Sequence, residues 1–165
     1  MQRHLRTTLI PLGIVLVAAI ASGCALVSDP FAALGRATPE PTDVAAPRPE
    51  ATLIIAQPPA GATLPSGKVT VAVTYNGPSL VAPARAEELN QYHLHYFLDV
   101  DAGPYLKSSI PVPLGNLAIV HSSATQVSFD NVAPGTHQLT VVLAGGNHVA
   151  VNPPIAQQIS FTVKS

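Results

Sequence analysis

Apolar and polar positions alternate most clearly over residues 91–101, QYHLHYFLDVD. Aromatic and aliphatic side chains at every second position favour a half-buried β-strand. The opposite face carries His93 and His95, which lie about 6–7 Å apart along a strand that rises roughly 3.3 Å per residue. The pattern therefore predicts a central strand that buries one face and presents two imidazoles on the other. The predicted buried face consists of Tyr92, Leu94, Tyr96, Leu98 and Val100.

Further segments have the apolar content of short strands, and Gly, Pro or Asn turn signals separate them. They span residues 52–57, 68–75, 117–121, 125–129, 136–144 and 156–163. About seven strands at intervals of about 8–15 residues predict an all-β protein with an antiparallel β-sandwich. The segment 84–89 favours only a short helical turn, and no segment predicts a long helix. The alternation predicts a core of Val71, Val73, Leu94, Tyr96, Leu98, Leu139, Val141, Leu143, Ile159 and Phe161.

Residues 127–146, VSFDNVAPGTHQLTVVLAGG, resemble the E strand, corner and F strand of immunoglobulin-like and fibronectin-like domains. A tyrosine often follows the Pro-Gly-Thr of that corner, and His137 takes its place here. The resemblance implies an immunoglobulin-like sandwich. Because His137 shares the parity of Leu139 and Val141, we expect it to be a structural corner residue that hydrogen-bonds to the backbone.

The N-terminal pattern is typical of an exported protein. Arg3 and Arg6 precede an apolar run over residues 9–20, which is shorter than the roughly 20 residues of a membrane-spanning helix. The small residues that follow suit a signal peptidase. The sequence ASGC resembles the bacterial lipobox, which implies a signal peptide over residues 1–23 and a lipidated Cys24 that anchors the protein on the extracellular or periplasmic side of a bacterial cell membrane. The alternatives are an ordinary signal peptide with a chance cysteine and an uncleaved N-terminal anchor.

The composition changes after this cysteine. Residues 24–50 are rich in proline and lack apolar periodicity, which predicts a disordered linker before a folded domain over residues 51–165. Cleavage before Cys24 would leave six basic and nine acidic residues, and this balance argues against a nucleic-acid partner. Cys24 is the only cysteine, so no intrachain disulfide can form and core packing has to provide the stability.

The sequence contains no familiar catalytic motif. It has no G-x-S-x-G elbow, no phosphate-binding glycine loop and no H-E-x-x-H. Asp99 lies beside a predicted turn and is interpreted as a solvated or capping residue. We therefore expect a binding protein rather than an enzyme.

The histidines are the side chains that could bind a ligand. If residues 91–100 and 136–144 are the C and F strands, they run antiparallel, and His93 and His95 approach the F–G loop that holds His148. Glu87 and Glu88, in the B–C connection, lie at the same end of the sandwich. Three imidazoles and a carboxylate in one place would bind Cu(II) or Zn(II). His121 is left unassigned because the sequence does not set the register of its strand.

Two alternatives to metal binding are open at this point. The histidines could be hydrogen-bonded or solvent-facing side chains without a ligand. Exposed tyrosines, Phe97 and loop residues could instead dock an envelope protein or a glycan, or the domain could be a structural spacer of the cell envelope.

The segments HLHYFLD, VHSSATQVSF and PGTHQLTVVLAGGNHVAVNPP are similar to an uncharacterised bacterial family of exported immunoglobulin-like domains, the domain-of-unknown-function family 4399. The similarity covers residues 91–163 and includes all five histidines of the predicted mature chain. It implies no known activity, ligand or partner. This chain departs from the family at Leu94, where a further histidine often stands, and at Gly145, where aspartate is frequent, and both departures reduce the set of ligand candidates.

Overall fold

A computed structural model describes residues 44–107 and 109–165 of the chain. The predicted signal peptide, Cys24 and the first part of the predicted linker lie outside these residues. The described chain contains a short 3-10 helix, Pro83–Arg85, and a short α-helix, α1, Gly103–Lys107. Its strands are β1 (Thr52–Gln57), β2 (Thr63–Leu64), β3 (Gly67–Asn76), β4 (His93–Leu98), β5 (Ile119–Ser122), β6 (Gln126–Val132), β7 (Gly135–Ala144) and β8 (Ala156–Val163).

These strands form two sheets with an immunoglobulin-like topology. The first sheet has the order β1-β3-β6, and the second has the order β2-β8-β7-β4-β5. All pairings are antiparallel except that of β2 with β8. The first sheet corresponds to strands A, B and E of an immunoglobulin domain, and the second contains G, F and C with β5 in the place of C′. The predicted fold class, an all-β sandwich, is confirmed.

The hydrophobic pattern locates most strands closely. The predicted segments Thr52–Gln57 and Ala156–Val163 coincide with β1 and β8. The pattern misses β2 and α1, because a strand of two residues and a helix of five are too short to show a period. No helix in the described part of the chain is long and apolar enough to cross a membrane.

The core between the sheets contains every residue that the alternation predicts for it. Side chains of β3 in the first sheet lie in the same cluster as those of β4, β7 and β8 in the second. Leu94 and Tyr96 of β4 and Leu139 and Val141 of β7 are completely buried. The predicted inward face is therefore confirmed for Tyr92, Leu94, Tyr96 and Leu98. It is wrong for Val100, because β4 ends at Leu98, Asp99 has a positive φ of 57°, and Val100 packs against a second apolar cluster on the outer face.

Truncating Leu98 or Val141 to alanine is expected to lower the free energy of unfolding by about 2–4 kcal/mol, because each change removes buried methyl groups and leaves a cavity. The matched control is Ile54→Ala on β1, since the Ile54 side chain is 54% exposed. We expect the control to lose less than about 0.5 kcal/mol. Urea unfolding followed by circular dichroism measures all three variants, and equal losses in core and control would contradict the face assignment.

The central strand is buried on its outer face as well, so the prediction of a half-buried strand is wrong. All six residues of β4 are buried. On the outer face Phe97 packs with Val112 and Val142, and Tyr105 and Leu106 of α1 pack against this second cluster. The chain after β4 therefore covers the sheet that the sequence pattern leaves open. Phe97 is completely buried and cannot form the predicted interaction surface.

Residues 44–50, which the sequence assigns to the linker, lie against the domain. Ala46 is buried, and its carbonyl accepts a hydrogen bond from the N–H of Asn152. The Arg48 guanidinium donates to the carbonyl of Pro153 at 2.9 Å. Backbone groups, one small side chain and the guanidinium of Arg48 make these contacts, so the segment shows no hydrophobic period. The packed structure already includes these residues before β1.

Candidate metal centre

The pairing of β4 with both of its neighbours brings three histidines together. The predicted antiparallel pairing with β7 is confirmed, and His93 lies opposite Ala144, the last residue of β7. On the other side, His95 lies opposite His121 of β5. His93 and His95 lie on the same face of the sheet because they are two residues apart. Imidazoles from two adjoining strands therefore meet at the end where β7 enters its loop.

The loop after β7 supplies the fourth histidine. A tight turn returns the chain, and the N–H of His148 donates to the carbonyl of Gly145 at 2.9 Å. His148 has a positive φ of 62°, which is uncommon for a residue other than glycine. The N–H of Val112 donates to the His148 carbonyl at 2.9 Å. The segment that covers the outer face of β4 thus also holds this loop in place.

The two glycines of the loop are required by close contacts with the B–C connection. A Cβ at Gly146 would lie 2.5 Å from the carbonyl oxygen of Glu88. A Cβ at Gly145 would collide with Ala46 and would lie 2.6 Å from the carbonyl oxygen of Leu89. Glycine allows the loop to approach the sheet closely enough for His148 to reach the other imidazoles.

The four imidazoles converge on one point. Nitrogens of His93, His95, His121 and His148 all lie within 4.8 Å of one another. Nε2 of His93 is 2.7 Å from Nε2 of His95 and 3.2 Å from Nδ1 of His148. Nδ1 of His121 is 3.0 Å from Nδ1 of His148. Four nitrogens bound tetrahedrally to one zinc ion would be about 3.3 Å apart, so the three short separations are close to those around a single ion.

Hydrogen bonds alone cannot satisfy this arrangement. A nitrogen of a neutral imidazole carries either one N–H or one lone pair, so it makes one good hydrogen bond. The three short contacts form a chain in the order His95, His93, His148 and His121, and the two middle nitrogens are each shared by two contacts. At most two of the three contacts can be hydrogen bonds. A metal ion among the nitrogens would accept all four lone pairs.

Burial keeps these imidazoles neutral, which is the state that binds metals. Burial, with a smaller effect of His148 and His121, lowers the pKa of His93 to about 3. Burial and the three neighbouring imidazoles hold the pKa of His95 well below its usual value. Burial lowers the pKa of His148 too. Burial and the neighbouring His148 lower the pKa of His121, although a hydrogen bond from this imidazole to the backbone carbonyl of Pro113 acts in the opposite direction. The cluster therefore presents lone pairs at neutral pH.

Stability does not explain the two innermost histidines. His93 and His95 are completely buried, and Nδ1 of each lacks a hydrogen-bond partner among the described residues. A buried polar group without a partner costs about 1–3 kcal/mol. Apolar side chains would fill these positions at lower cost. The arrangement is therefore better explained by ligand binding than by packing.

The observed cluster differs from the predicted ligand set in two ways. His121, unassigned in the sequence, belongs to it because β5 pairs with β4. Glu87 and Glu88 do not belong to it, so the predicted carboxylate ligand is wrong. Both residues are exposed, and their backbone N–H groups donate to the side-chain oxygen of Gln91. The sequence offered one indication of this role for His121: it lies in the strand predicted next after β4, and consecutive strands are commonly neighbours in a sheet.

His137 lies outside the cluster, at the other end of β7. Its Nδ1 is 2.7 Å from Oδ2 of Asp99, and its Nε2 is 2.8 Å from the carbonyl oxygen of Ala133. Both partners accept, so both nitrogens donate and the imidazole is charged. Burial lowers the pKa of His137, but the hydrogen bonds to Asp99 and Ala133 together raise it above its usual value. Asp99 also accepts the N–H of Gln138, so it orients this corner.

His137→Ala is expected to lower the free energy of unfolding by about 1–3 kcal/mol, because it removes two hydrogen bonds at the corner and leaves their acceptors unpaired. The charge-dependent part of this loss is fully present below pH 6.5 and declines as the pH rises through the raised pKa of His137. Chemical unfolding at several pH values measures the effect. A difference between wild type and variant that grows above neutral pH would contradict a charged corner histidine.

Comparisons with known proteins do not assign a family. No model of a known protein family matches the chain, and no curated protein matches it. An engineered protein of known structure is similar, with 13% sequence identity and a TM-score of 0.38. The similarity covers 72% of this chain but 20% of the engineered protein, so this chain spans a small part of the engineered protein's length. A CARDB domain from Pyrococcus furiosus, solved in complex with di-metal ions, is similar with 10% identity and a TM-score of 0.35, over 70% of this chain and 94% of that domain. Neither likeness identifies a ligand.

Proposed function

We propose that the domain binds one transition-metal ion, Cu(II) or Zn(II), through His93, His95, His121 and His148. The observation that carries the proposal is the convergence of four neutral imidazole nitrogens within 4.8 Å of one another. Imidazole is a ligand for both ions. The short contacts among these nitrogens, which hydrogen bonds cannot all satisfy, add support.

The role proposed for the ion is binding without catalysis. A catalytic zinc site keeps one position open for water or substrate, whereas a site with four protein ligands is closed. Four side chains supply four nitrogens here, and His93 and His95 are shielded completely from solvent. His121 and His148 are partly exposed, so the ion would enter from the side of β5 and the loop after β7.

Calorimetric titration of the metal-free domain with Cu(II) and Zn(II) tests the proposal. We expect saturable binding of one ion per domain at neutral pH, with a dissociation constant of about 1 μM or tighter. His137→Ala is the matched control, since it removes a histidine that lies outside the cluster. No saturable heat with either ion, or an equal loss of affinity in the control and in a cluster variant, would refute the proposal.

We further propose that the protein is held on a bacterial membrane by lipids on Cys24. Two acyl chains give stable anchoring where one is marginal. Cys24→Ser is expected to move the protein from the membrane fraction to the soluble fraction, or to leave an unprocessed precursor in the membrane. Fractionation with mass spectrometry of the N-terminus measures this. A wild-type mature protein without acylated Cys24 would contradict the anchor.

Docking of an envelope protein is the second candidate function. The surface that supports it is not the predicted one, which included Phe97. The connection between α1 and β5 exposes three large apolar side chains, Ile110, Leu114 and Leu117. Leu117 is 95% exposed. Contiguous exposed apolar groups are typical of interaction sites, and these three side chains come from residues 110–117 of a single connection. Capture of a defined envelope partner by wild type, and its loss when the three residues are changed to serine, would favour this function.

A further inference from the structure

We infer that the bound ion is copper, and that the site stabilises Cu(I) relative to Cu(II) more strongly than imidazole in water does. The inference rests on the proposed function and extends it by naming the ion and its redox behaviour. Two observations carry it: the flattened arrangement of the four rings, and a ligand set that contains only neutral groups.

The four rings form a closed quadrilateral rather than a regular tetrahedron. Taken in the order His95, His93, His148 and His121, neighbouring ring centroids are 4.2–5.0 Å apart. The diagonals are longer, at 5.5 Å between His95 and His148 and 6.3 Å between His93 and His121. A regular tetrahedron would have six equal distances, and in a square each diagonal would exceed the sides by the square root of two. The observed arrangement lies between these two limits.

The ring planes identify the same opposite pairs. The two diagonal pairs are nearly parallel, with interplanar angles of 14° and 28°, whereas neighbouring rings are inclined by 50–69°. A square-planar or tetragonal set of nitrogens is typical of Cu(II), and a tetrahedral set is typical of ions with a filled d shell, which include Zn(II) and Cu(I). An arrangement between these limits accommodates both copper states with little movement. Three of the four ligands are also held by paired strands.

The charge of the site favours the lower oxidation state. No carboxylate or thiolate of the described residues belongs to the cluster. The desolvation cost of an ion rises with the square of its charge, so burial disfavours Cu(II) much more than Cu(I). An ene-diol reductant such as ascorbate would transfer one electron to Cu(II), which would become Cu(I), while the reductant would be oxidised to its radical and would release its proton to the solvent. The neutral imidazoles keep their protonation state, so the reduction requires no proton at the site.

The matched pair His148→Asp and His148→Asn tests the inference. Both side chains can place an oxygen near the position of Nδ1 of His148, and both tolerate the positive φ of 62°. Only aspartate adds a negative charge. Competition with chelators specific for Cu(I) and for Cu(II) gives both affinities of the full-length chain, purified in detergent. The ratio of Cu(I) to Cu(II) affinity should be at least tenfold lower in His148→Asp than in His148→Asn, or about 59 mV in reduction potential.

A second matched pair, His121→Asp and His121→Asn, repeats the measurement on a ligand from a strand and guards against misfolding of the loop. Equal ratios within both pairs, or a wild-type ratio no higher than that of copper with free imidazole, would overturn the inference and leave metal binding intact. Binding of zinc but not of copper would likewise overturn the inference and leave metal binding intact. Absence of binding of both metals to the wild-type chain would overturn the proposed function as well.

Discussion

His121→Ala is expected to weaken the binding of Cu(II) or Zn(II) by more than about a hundredfold. Loss of a group that only orients a metal ligand typically costs 10–100-fold, so loss of one of four ligands should cost at least as much. His121 is partly exposed and lies on β5, an edge strand of four residues, so its truncation should affect the fold little. Calorimetry with a parallel unfolding measurement separates loss of affinity from loss of structure.

Glu87→Gln and Glu88→Gln are the controls for this prediction. Both carboxylates are exposed and lie outside the cluster, so each change should leave the metal affinity unchanged. The comparison distinguishes a site of four imidazoles from one of three imidazoles and a carboxylate. Loss of affinity in either glutamine variant, with His121→Ala unaffected, would show that the carboxylates bind the ion and that His121 does not.

Acidification is expected to destabilise the metal-free domain strongly. His93 has a pKa of about 3 in the folded domain, and His95 has one well below the usual value. In the unfolded chain both side chains take up protons near pH 6.5. The unfolded state therefore binds more protons below pH 6.5, and the free energy of unfolding falls as the pH drops through this range. The decrease is about 1.4 kcal/mol per pH unit for each of these two histidines.

The other histidines change this prediction little. His121 and His148 also have lowered pKa values, but they are partly exposed, so solvent screening makes their contribution smaller. His137 has a raised pKa, so it is charged in both states below pH 6.5 and adds no further pH dependence there.

His95→Leu is the variant that checks the acid effect. Leucine fills a buried position without binding a proton. The free energy of unfolding should therefore fall less steeply with decreasing pH in the variant than in the wild type, by about 1.4 kcal/mol per pH unit. At pH 5 the metal-free variant should be more stable than the wild type. Urea unfolding between pH 5 and pH 7.5 gives both slopes. Equal slopes for wild type and His95→Leu would mean that His95 is not held neutral in the folded domain.

The fold could be predicted from the sequence because each strand of a sandwich shows an alternation of apolar and polar residues. Leu94, Leu139 and Phe161 alternate with residues of the opposite face, and a one-residue shift of any strand would expose its whole apolar set. Local alternation and turn residues therefore contain enough information for strand positions and for the inward face. The outer face of β4 is different, because Val112, which covers it, comes from irregular chain, and Tyr105 comes from a helix of five residues that is too short to show a period.

The N-terminal interpretation stays a prediction. The lipidated Cys24 and the signal peptide lie outside the described residues. The similarity to the exported family also stays a prediction, although the structure explains one departure from it. Leu94 faces the core between the sheets, on the opposite side of β4 from His93 and His95, so a histidine there would not join the cluster.

The sandwich, its inward core and the approach of His93 and His95 to the loop of His148 can be predicted from the sequence, because alternation and antiparallel pairing follow from local pattern and simple topology. The complete ligand set cannot be predicted in this way, because it depends on contacts between distant segments of the chain. Whether His121 faces His95 depends on the register of an edge strand, which hydrogen bonds between distant segments set. Whether the carboxylates of the B–C connection reach the site depends on how that connection folds, and its carbonyls, rather than its acidic groups, meet the glycines of the loop. Burial, which keeps the imidazoles neutral, likewise comes from chain segments that are far apart in sequence.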